Sequence, residues 1–336
     1  MITGIPLKQH RPDWQQEMAQ AISDPEELLA ILDIDPALVD AELSSSAFRL
    51  KVPISFIRRM QKGNPADPLL RQILPIHAEH DTIPGFINDP VGDLDAMSTP
   101  GLIHKYAGRA LLIVTGACAV HCRYCFRRHF PYGEANLSAE HLQLALRYLQ
   151  NNKDIHEIIL SGGDPLSLPD KRLAALLEEI EGIPHIQRLR IHTRLPVVIP
   201  SRITPDFIKL ISGTRLQTSI VVHINHAQEI DQGLGEALER LRKIGVTLLN
   251  QTVLLGGVND SAQVLTRLSE NLYEHGVLPY YLHLLDPVQG SAHFEIEQYR
   301  AEEIYKDMRR SLPGYLVPRL VRETAGKPYK IPIGSI

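Results

Sequence analysis

The chain has 336 residues, 44% of them hydrophobic, and a net charge of −4 from 35 Lys and Arg against 39 Asp and Glu. That length supports one large core or a barrel with an appendage. The slightly acidic balance argues against direct nucleic-acid binding, which favours a strongly basic surface, and no apolar run reaches membrane-spanning length.

The start, Met1-Ile-Thr-Gly-Ile-Pro6, lacks a basic segment followed by an apolar one, so no secretory signal is expected. Residues 1–100 read as a separate, mainly helical layer. Asp24-Pro25 is a cap followed by proline at the first helical position. Residues 48–60 carry spaced apolar groups that read as a helix, which the Gly63-Asn64-Pro65 stretch then breaks. Residues 80–100, rich in Pro, Gly and Asp, read as an extended wrap whose acidic residues are turn formers.

From Lys105 onward strands alternate with helices. Strands are expected at 110–115, 157–161, 188–193, 216–223, 246–253 and 278–284. Helices are expected at 138–151, 171–180, 205–211, 235–244 and 261–275. Alternation of this kind implies parallel strands with crossover helices, and six units imply a partial rather than a closed eight-unit barrel. The resulting division is 1–100, 101–310 and 311–336, with the last segment closing the open side.

The only cysteines lie in one loop, Cys118-Ala-Val-His-Cys122-Arg-Tyr-Cys125. Three thiolates suit a four-iron cluster with one iron left open for chemistry. Zinc is the competitor, but it wants four ligands, and His121 lies beside Cys122 in a poor position to complete the set. No cysteine remains for disulfides, so a reducing cytoplasm is expected. The apolar run Leu111–Thr115 leads into the loop and puts it at the C-terminal end of a strand, where β/α barrels carry their sites. This Cys-x3-Cys-x2-Cys loop resembles that of the radical S-adenosylmethionine (SAM) superfamily. There the open iron is chelated by the amino and carboxylate groups of SAM.

Other expected strand ends are polar. Ser161-Gly162-Gly163-Asp164 resembles the superfamily's glycine-rich strand end that meets the amino group of SAM. Paired glycines let a backbone approach a ligand, while Asp164 is either a cofactor contact or a helix-start residue. Arg190-Ile-His192-Thr-Arg194, His223-Ile-Asn225-His226 and Asn250-Gln251 follow at successive strand ends and read as a pocket lining. His223 and Gln251 are assigned to cofactor binding with the Ser161–Asp164 group.

From about Pro53 to the end the chain resembles the lysine 2,3-aminomutase family. The matching phrases include Pro100-Gly-Leu-Ile-His-Lys-Tyr106-Ala-Gly-Arg109, Cys125-Phe-Arg127-Arg128, Ser161-Gly-Gly-Asp-Pro-Leu, Arg194-Leu-Pro-Val-Val-Ile-Pro-Ser-Arg202 and Pro279-Tyr-Tyr-Leu-His-Leu-Leu-Asp286. The resemblance implies a [4Fe-4S] cluster, SAM and pyridoxal 5′-phosphate (PLP). It also implies a 5′-deoxyadenosyl radical acting on a PLP aldimine of lysine, moving the amino group from the α to the β carbon. It makes Lys330 the PLP lysine, with Lys327 as a rival because the segment before Lys330 holds one glycine where the family has a glycine-rich run. It places Tyr106 and Arg109 near the PLP phosphate and Arg127 at the substrate carboxylate. Asp286 and Glu323 fall at the ε-ammonium, Glu323 standing where the family usually has Asp. That extra methylene moves the carboxylate by about 1.5 Å.

The chain stops at Ile336, where catabolic members continue into a cysteine-bearing region. The phrases at 126–132 and 314–320 look like the elongation factor P branch, which makes (R)-β-lysine from (S)-α-lysine for a separate ligase. A one-electron reductant such as flavodoxin is implied as a partner. Two other readings stay open at this point: a PLP-free radical SAM enzyme acting on a protein, and an iron–sulfur redox sensor.

Overall fold

The computed structural model describes residues 14–43, 48–135 and 137–334; the segment read for a secretory signal lies outside them. The N-terminal layer contains short helices: α1 (Trp14–Ala19), α2 (Pro25–Ile31), α3 (Ile54–Ile57) and α4 (Pro68–Arg71). Asp24 caps α2 by accepting from the Glu26 amide at 2.9 Å, with Pro25 next in line. The helix expected over 48–60 is reduced to the single turn α3. Pro53 starts it, and Val52 is drawn out to exchange backbone hydrogen bonds with Ile22 at 2.8 and 2.9 Å.

Ten strands form one sheet in chain order: β1 (Met97–Thr99), β2 (Leu102–Tyr106), β3 (Arg109–Thr115), β4 (Glu157–Gly162), β5 (Arg188–Thr193), β6 (Gln217–His223), β7 (Thr247–Val253), β8 (Leu278–His283), β9 (Arg319–Arg322) and β10 (Ile331–Pro332). Neighbours from β3 to β9 are parallel, while β1–β2, β2–β3 and β9–β10 are antiparallel. The six expected strands are all present. A seventh parallel strand, β9, lies in the segment read from sequence only as a closing run. Among the described residues β10 does not pair with β1, so the barrel is open.

The crossover helices are α5 (Ala139–Asn151), α6 (Asp170–Glu181), α8 (Pro205–Gly213), α9 (Gln232–Lys243), α10 (Ala262–Glu274) and α11 (Gln298–Ser311), with the short turn α7 (Leu195–Val198) after β5. Each packs an apolar stripe on the sheet; that of α9 is Leu234, Ala237, Leu238 and Leu241. The layer shares this core. Phe56, Leu69, Leu70 and Ile73 belong to the same apolar cluster as Leu112, Leu160, Ile191 and Val197. Gln72 fastens the two polar frameworks together. Its fully buried side-chain oxygen accepts from Arg194 at 2.8 Å and Asn225 at 2.9 Å.

Candidate active site

Strand alternation decides what faces the barrel interior. Side chains two residues apart share a face, so Arg109 and Leu111, Ile159 and Ser161, Arg190 and His192, Val221 and His223, Gln251 and Val253, and Tyr281 and His283 all line one cavity of about 600 Å³. It runs from the cysteine loop at the C-terminal strand ends to Tyr106 and Arg109 at the start of β3. The strand-end rule therefore accounts for only the upper part of the site. Three residues read as pocket lining, Asn225, His226 and Asn250, do not face the cavity. Asn250, out of phase with Gln251, is fully turned into the protein and bonds both backbone groups of Ile224 at 2.9 and 3.0 Å. Asn225 is buried and donates to Gln72, with its oxygen accepting from the Val253 amide. His226 instead caps the turn that follows, its Nδ1 accepting from the Gln228 amide at 3.2 Å.

Cys118, Cys122 and Cys125 all face the upper cavity. The loop is gripped from the N-terminal layer. The amides of His121 and Arg123 donate to the carbonyls of Lys51 and Gln72 at 3.0 and 2.9 Å. Arg123 forms a buried bidentate pair with Glu79, which also holds Arg128 at 2.6 Å. His121 stacks on Phe48 at 5.0 Å, and its Nδ1 meets the Arg49 carbonyl at 2.8 Å. It is thus committed away from the thiols, and the zinc reading loses its fourth ligand. Burial, and then the charges of Asp164 and the other two sulfurs, pushes Cys118 well up, while burial and Cys122 push Cys125 to about 11. Burial thus keeps Cys118 and Cys125 as thiols unless a cationic metal centre draws off their protons, and three soft sulfur donors facing one cavity fit an iron cluster.

At the end of β4 the glycines serve a close approach, but to the protein itself. A Cβ on Gly163 would lie 2.4 Å from the Ala117 carbonyl oxygen, and one on Gly162, at φ +129°, would lie 2.4 Å from that of Thr115. They seat the strand end against the cysteine loop. Asp164 faces the cavity, yet its carboxylate accepts from the Leu166, Arg194 and Leu195 amides and from Thr193 Oγ1 at 2.6–3.0 Å. It caps the turn Pro165–Ser167 and ties β4 to β5.

Lower down, an ion chain crosses the cavity wall. Arg127 Nε lies 2.7 Å from Asp93, and its Nη1 donates to Ser161 Oγ at 3.0 Å. Asp93 pairs with Lys105 at 2.6 Å, Lys105 with Glu323 at 3.2 Å, and Glu323 with Lys330. Asp93 and Lys105 escaped the sequence reading. Asp93 lies in the stretch whose acids read as turn formers, which holds for Asp89, acceptor of the Asp93 and Leu94 amides at 2.9 Å, but not for buried Asp93. Lys330 faces the cavity, whereas the rival Lys327 is exposed and outside it.

Burial would raise the Glu323 carboxyl, but Lys330 and Lys105 hold it down to about 2. Asp286 is the opposite case: burial, and then the charge of Glu323, raises it to about 7, and its Oδ1 has no partner. Nε2 of His192, His223 and His283 is likewise buried without a partner. Burial holds all three imidazoles neutral, the first two aided by arginines nearby and His283 by Lys330. Arg109 lies 4.6 Å from the Tyr106 ring centroid, and the Tyr106 phenol is raised by burial and then by Glu323. Buried polar atoms aimed at an open cavity, beside a lysine and an arginine, fit a polar, phosphate-bearing cofactor.

An open parallel β/α barrel with a three-cysteine loop over its strand ends defines a radical SAM protein, and the family model described as the radical SAM superfamily matches residues 112–268. Over 96% of its length the chain is 50% identical to the L-lysine 2,3-aminomutase of Escherichia coli K12, covering 95% of that protein. It is also 50% identical to the Haemophilus influenzae protein of the same name, over 97% of this chain and 96% of the relative. The Clostridium subterminale L-lysine 2,3-aminomutase is 30% identical, over 96% of this chain and 77% of that one. The chain belongs to the lysine 2,3-aminomutase family. A [4Fe-4S] cluster, SAM and PLP follow as its cofactors.

Proposed function

We propose that this chain converts (S)-α-lysine to (R)-β-lysine. The observation that carries the reading is the sharing of one cavity by the three cysteines, Lys330, buried Arg127 and the carboxylates Asp286 and Glu323. Lysine carries a carboxylate at one end and an ammonium at the other, and the cavity offers a match for each. When bound, the cofactors supply the radical and the delocalising ring that amino migration requires.

The chain's own residues do the placing. Cys118, Cys122 and Cys125 would hold the cluster, with Ser161, Gly162, Gly163, His223 and Gln251 lining the SAM side and Asp164 keeping β4 and β5 in register. The Lys330 amine would carry PLP, with Arg109 and Tyr106 at its phosphate. Arg127 would bind the substrate carboxylate by charge-assisted hydrogen bonds, and Glu323 with Asp286 would take the ε-ammonium. Asp286 titrates near neutrality, so an arriving ammonium draws it into its charged form. The neutral imidazoles of His192 and His283 offer unpaired nitrogens to bound groups. Enclosure by the barrel keeps water from a reactive radical.

The elongation factor P branch is our reading of the product's use: a lysyl ligase would attach the β-lysine, and flavodoxin is the type of reductant expected. No helix among the described residues is long and apolar enough to cross a membrane; the reading of a cytoplasmic site of action rests on the cysteines, all three of which are given to the cluster loop. A PLP-free enzyme has no use for a cavity lysine beside Arg109, and a sensor has none for paired anchors.

The test is anaerobic reconstitution with iron, sulfide, PLP, SAM and a reductant, then mass-resolved chromatography of lysine reaction mixtures. β-Lysine formation, abolished by Cys122→Ala, is the expected result. A chain that binds cluster and PLP but leaves free lysine unchanged would overturn it.

A further inference from the structure

We propose that Lys105 is a positioning residue that sets the length of diamino acid the cavity accepts; this rests on the reading of Arg127 and Glu323 as the two anchors of lysine. The Lys105 ammonium lies 2.6 Å from Asp93 Oδ1 and 3.2 Å from Glu323 Oε1, and it donates to the Val91 carbonyl at 2.7 Å. The other oxygen of Asp93 lies 2.7 Å from Nε of Arg127. Side-chain exposure is 14% for Lys105 and Glu323, 8% for Arg127 and 3% for Asp93, so water screens these pairs little.

An ammonium has three donors, and Lys105 directs them at Val91, Asp93 and Glu323. None is left for a substrate. What Lys105 provides is a fixed connection: Asp93 and Lys105 join the carboxylate anchor to the ammonium anchor through alternating charges. Glu323 is tethered to Lys105 through Oε1, with the Tyr106 phenol also hydrogen-bonded to its carboxylate; its Oε2, which pairs with Lys330 here, is the atom a substrate ammonium would meet once the Lys330 amine is engaged by PLP. A free glutamate has three side-chain torsions and could follow a retreating ammonium. Tethered, it cannot. A diamino acid one methylene shorter places its ammonium roughly 1.3 Å short of that oxygen.

The test uses the full-length reconstituted enzyme carrying Lys105→Met or Lys105→Arg, with lysine and its one-methylene-shorter homologue ornithine. Lysine affinity is measured calorimetrically in the PLP-loaded enzyme without SAM, where nothing turns over. Lys105→Met should raise Kd and KM for lysine about tenfold, leave kcat within about threefold, and cut the lysine-over-ornithine preference in kcat/KM about tenfold. Lys105→Arg, which keeps the charge and several donors, should restore most of the preference. A Lys105→Met enzyme that binds and discriminates as wild type, while Glu323→Gln loses lysine affinity, sinks the proposal and leaves the anchor reading standing. Wild-type lysine affinity in Glu323→Gln sinks both. Should Lys105→Met fail to load PLP, Lys105→Gln, uncharged and shorter than the span to Glu323, carries the same comparison, and the same results support or overturn the proposal.

Discussion

The guanidinium of Arg194 lies 2.8 Å from Sγ of Cys122 and, through its other terminal nitrogen, 3.0 Å from Glu229. The same side chain meets Tyr124 and Gln72, so one buried arginine joins the cysteine loop, the end of β5 and the N-terminal layer. Burial works against its charge, and Cys122, Tyr124 and Glu229 more than offset that. Replacing it with Met should destabilise the cofactor-free chain by about 3–5 kcal/mol, because buried Glu229 loses its counter-ion. Adding Glu229→Gln should recover part of that loss, a non-additivity readable in urea midpoints.

Asp286 makes stability depend on pH in an unusual direction. Its folded carboxyl is raised to about 7, by burial first and Glu323 second. Between about pH 4 and pH 7 the folded chain therefore holds a proton that the unfolded chain has released, and this group's contribution to stability falls as pH rises through that window. Asp286→Asn should exceed wild type by about 2–4 kcal/mol at pH 8 and match it near pH 3. Glu323 acts in the opposite sense: burial works against it, but Lys330 and Lys105 hold it down to about 2, so its contribution is lost as pH falls below about 4.5. It is common to both chains, so the difference between them isolates Asp286. Equal pH profiles for the two chains would refute this assignment.

Gly163 has no room for a side chain, since backbone atoms of Gly116 and Ala117 lie within 2.8 Å of where a Cβ would sit. Gly163→Ala must push the cysteine loop away from β4. The expected cost is about 1–3 kcal/mol, together with reduced iron per chain after reconstitution. Full iron loading at wild-type stability would contradict the contact.

Lys330 and Lys327 are three residues apart, yet only Lys330 faces the cavity. Lys330→Ala should lose the visible absorption of bound PLP, and Lys327→Ala should keep it. Cofactor-free Lys330→Ala also frees Glu323 of one of its two cationic partners, so its carboxyl should titrate at a higher pH than in wild type.

Much of this architecture is legible in the order of the residues. The cysteine loop announces itself because three thiols have no other reason to cluster. The six parallel strands follow from short apolar runs alternating with helix-length segments, and five crossover helices fall close to their expected limits, the caps Ser138, Thr204 and Ser261 among the reasons. The helix expected over 48–60 failed because backbone pairing of Val52 with Ile22, a long-range event, outweighed local periodicity.

The amino-acid order by itself determined which strand residues share a face: Arg190 with His192, Gln251 with Val253, Tyr281 with His283. A period of two is local geometry and needs no tertiary information. Folding alone decided that Asp93 would pair with Lys105 and Arg127, and that Lys105 would reach Glu323, 218 positions away. An ion pair between distant residues leaves no spacing rule in the chain, because its partners are brought together by the packing of elements between them. The family resemblance named the ends of the substrate site, and only the folded chain shows the charges that join them.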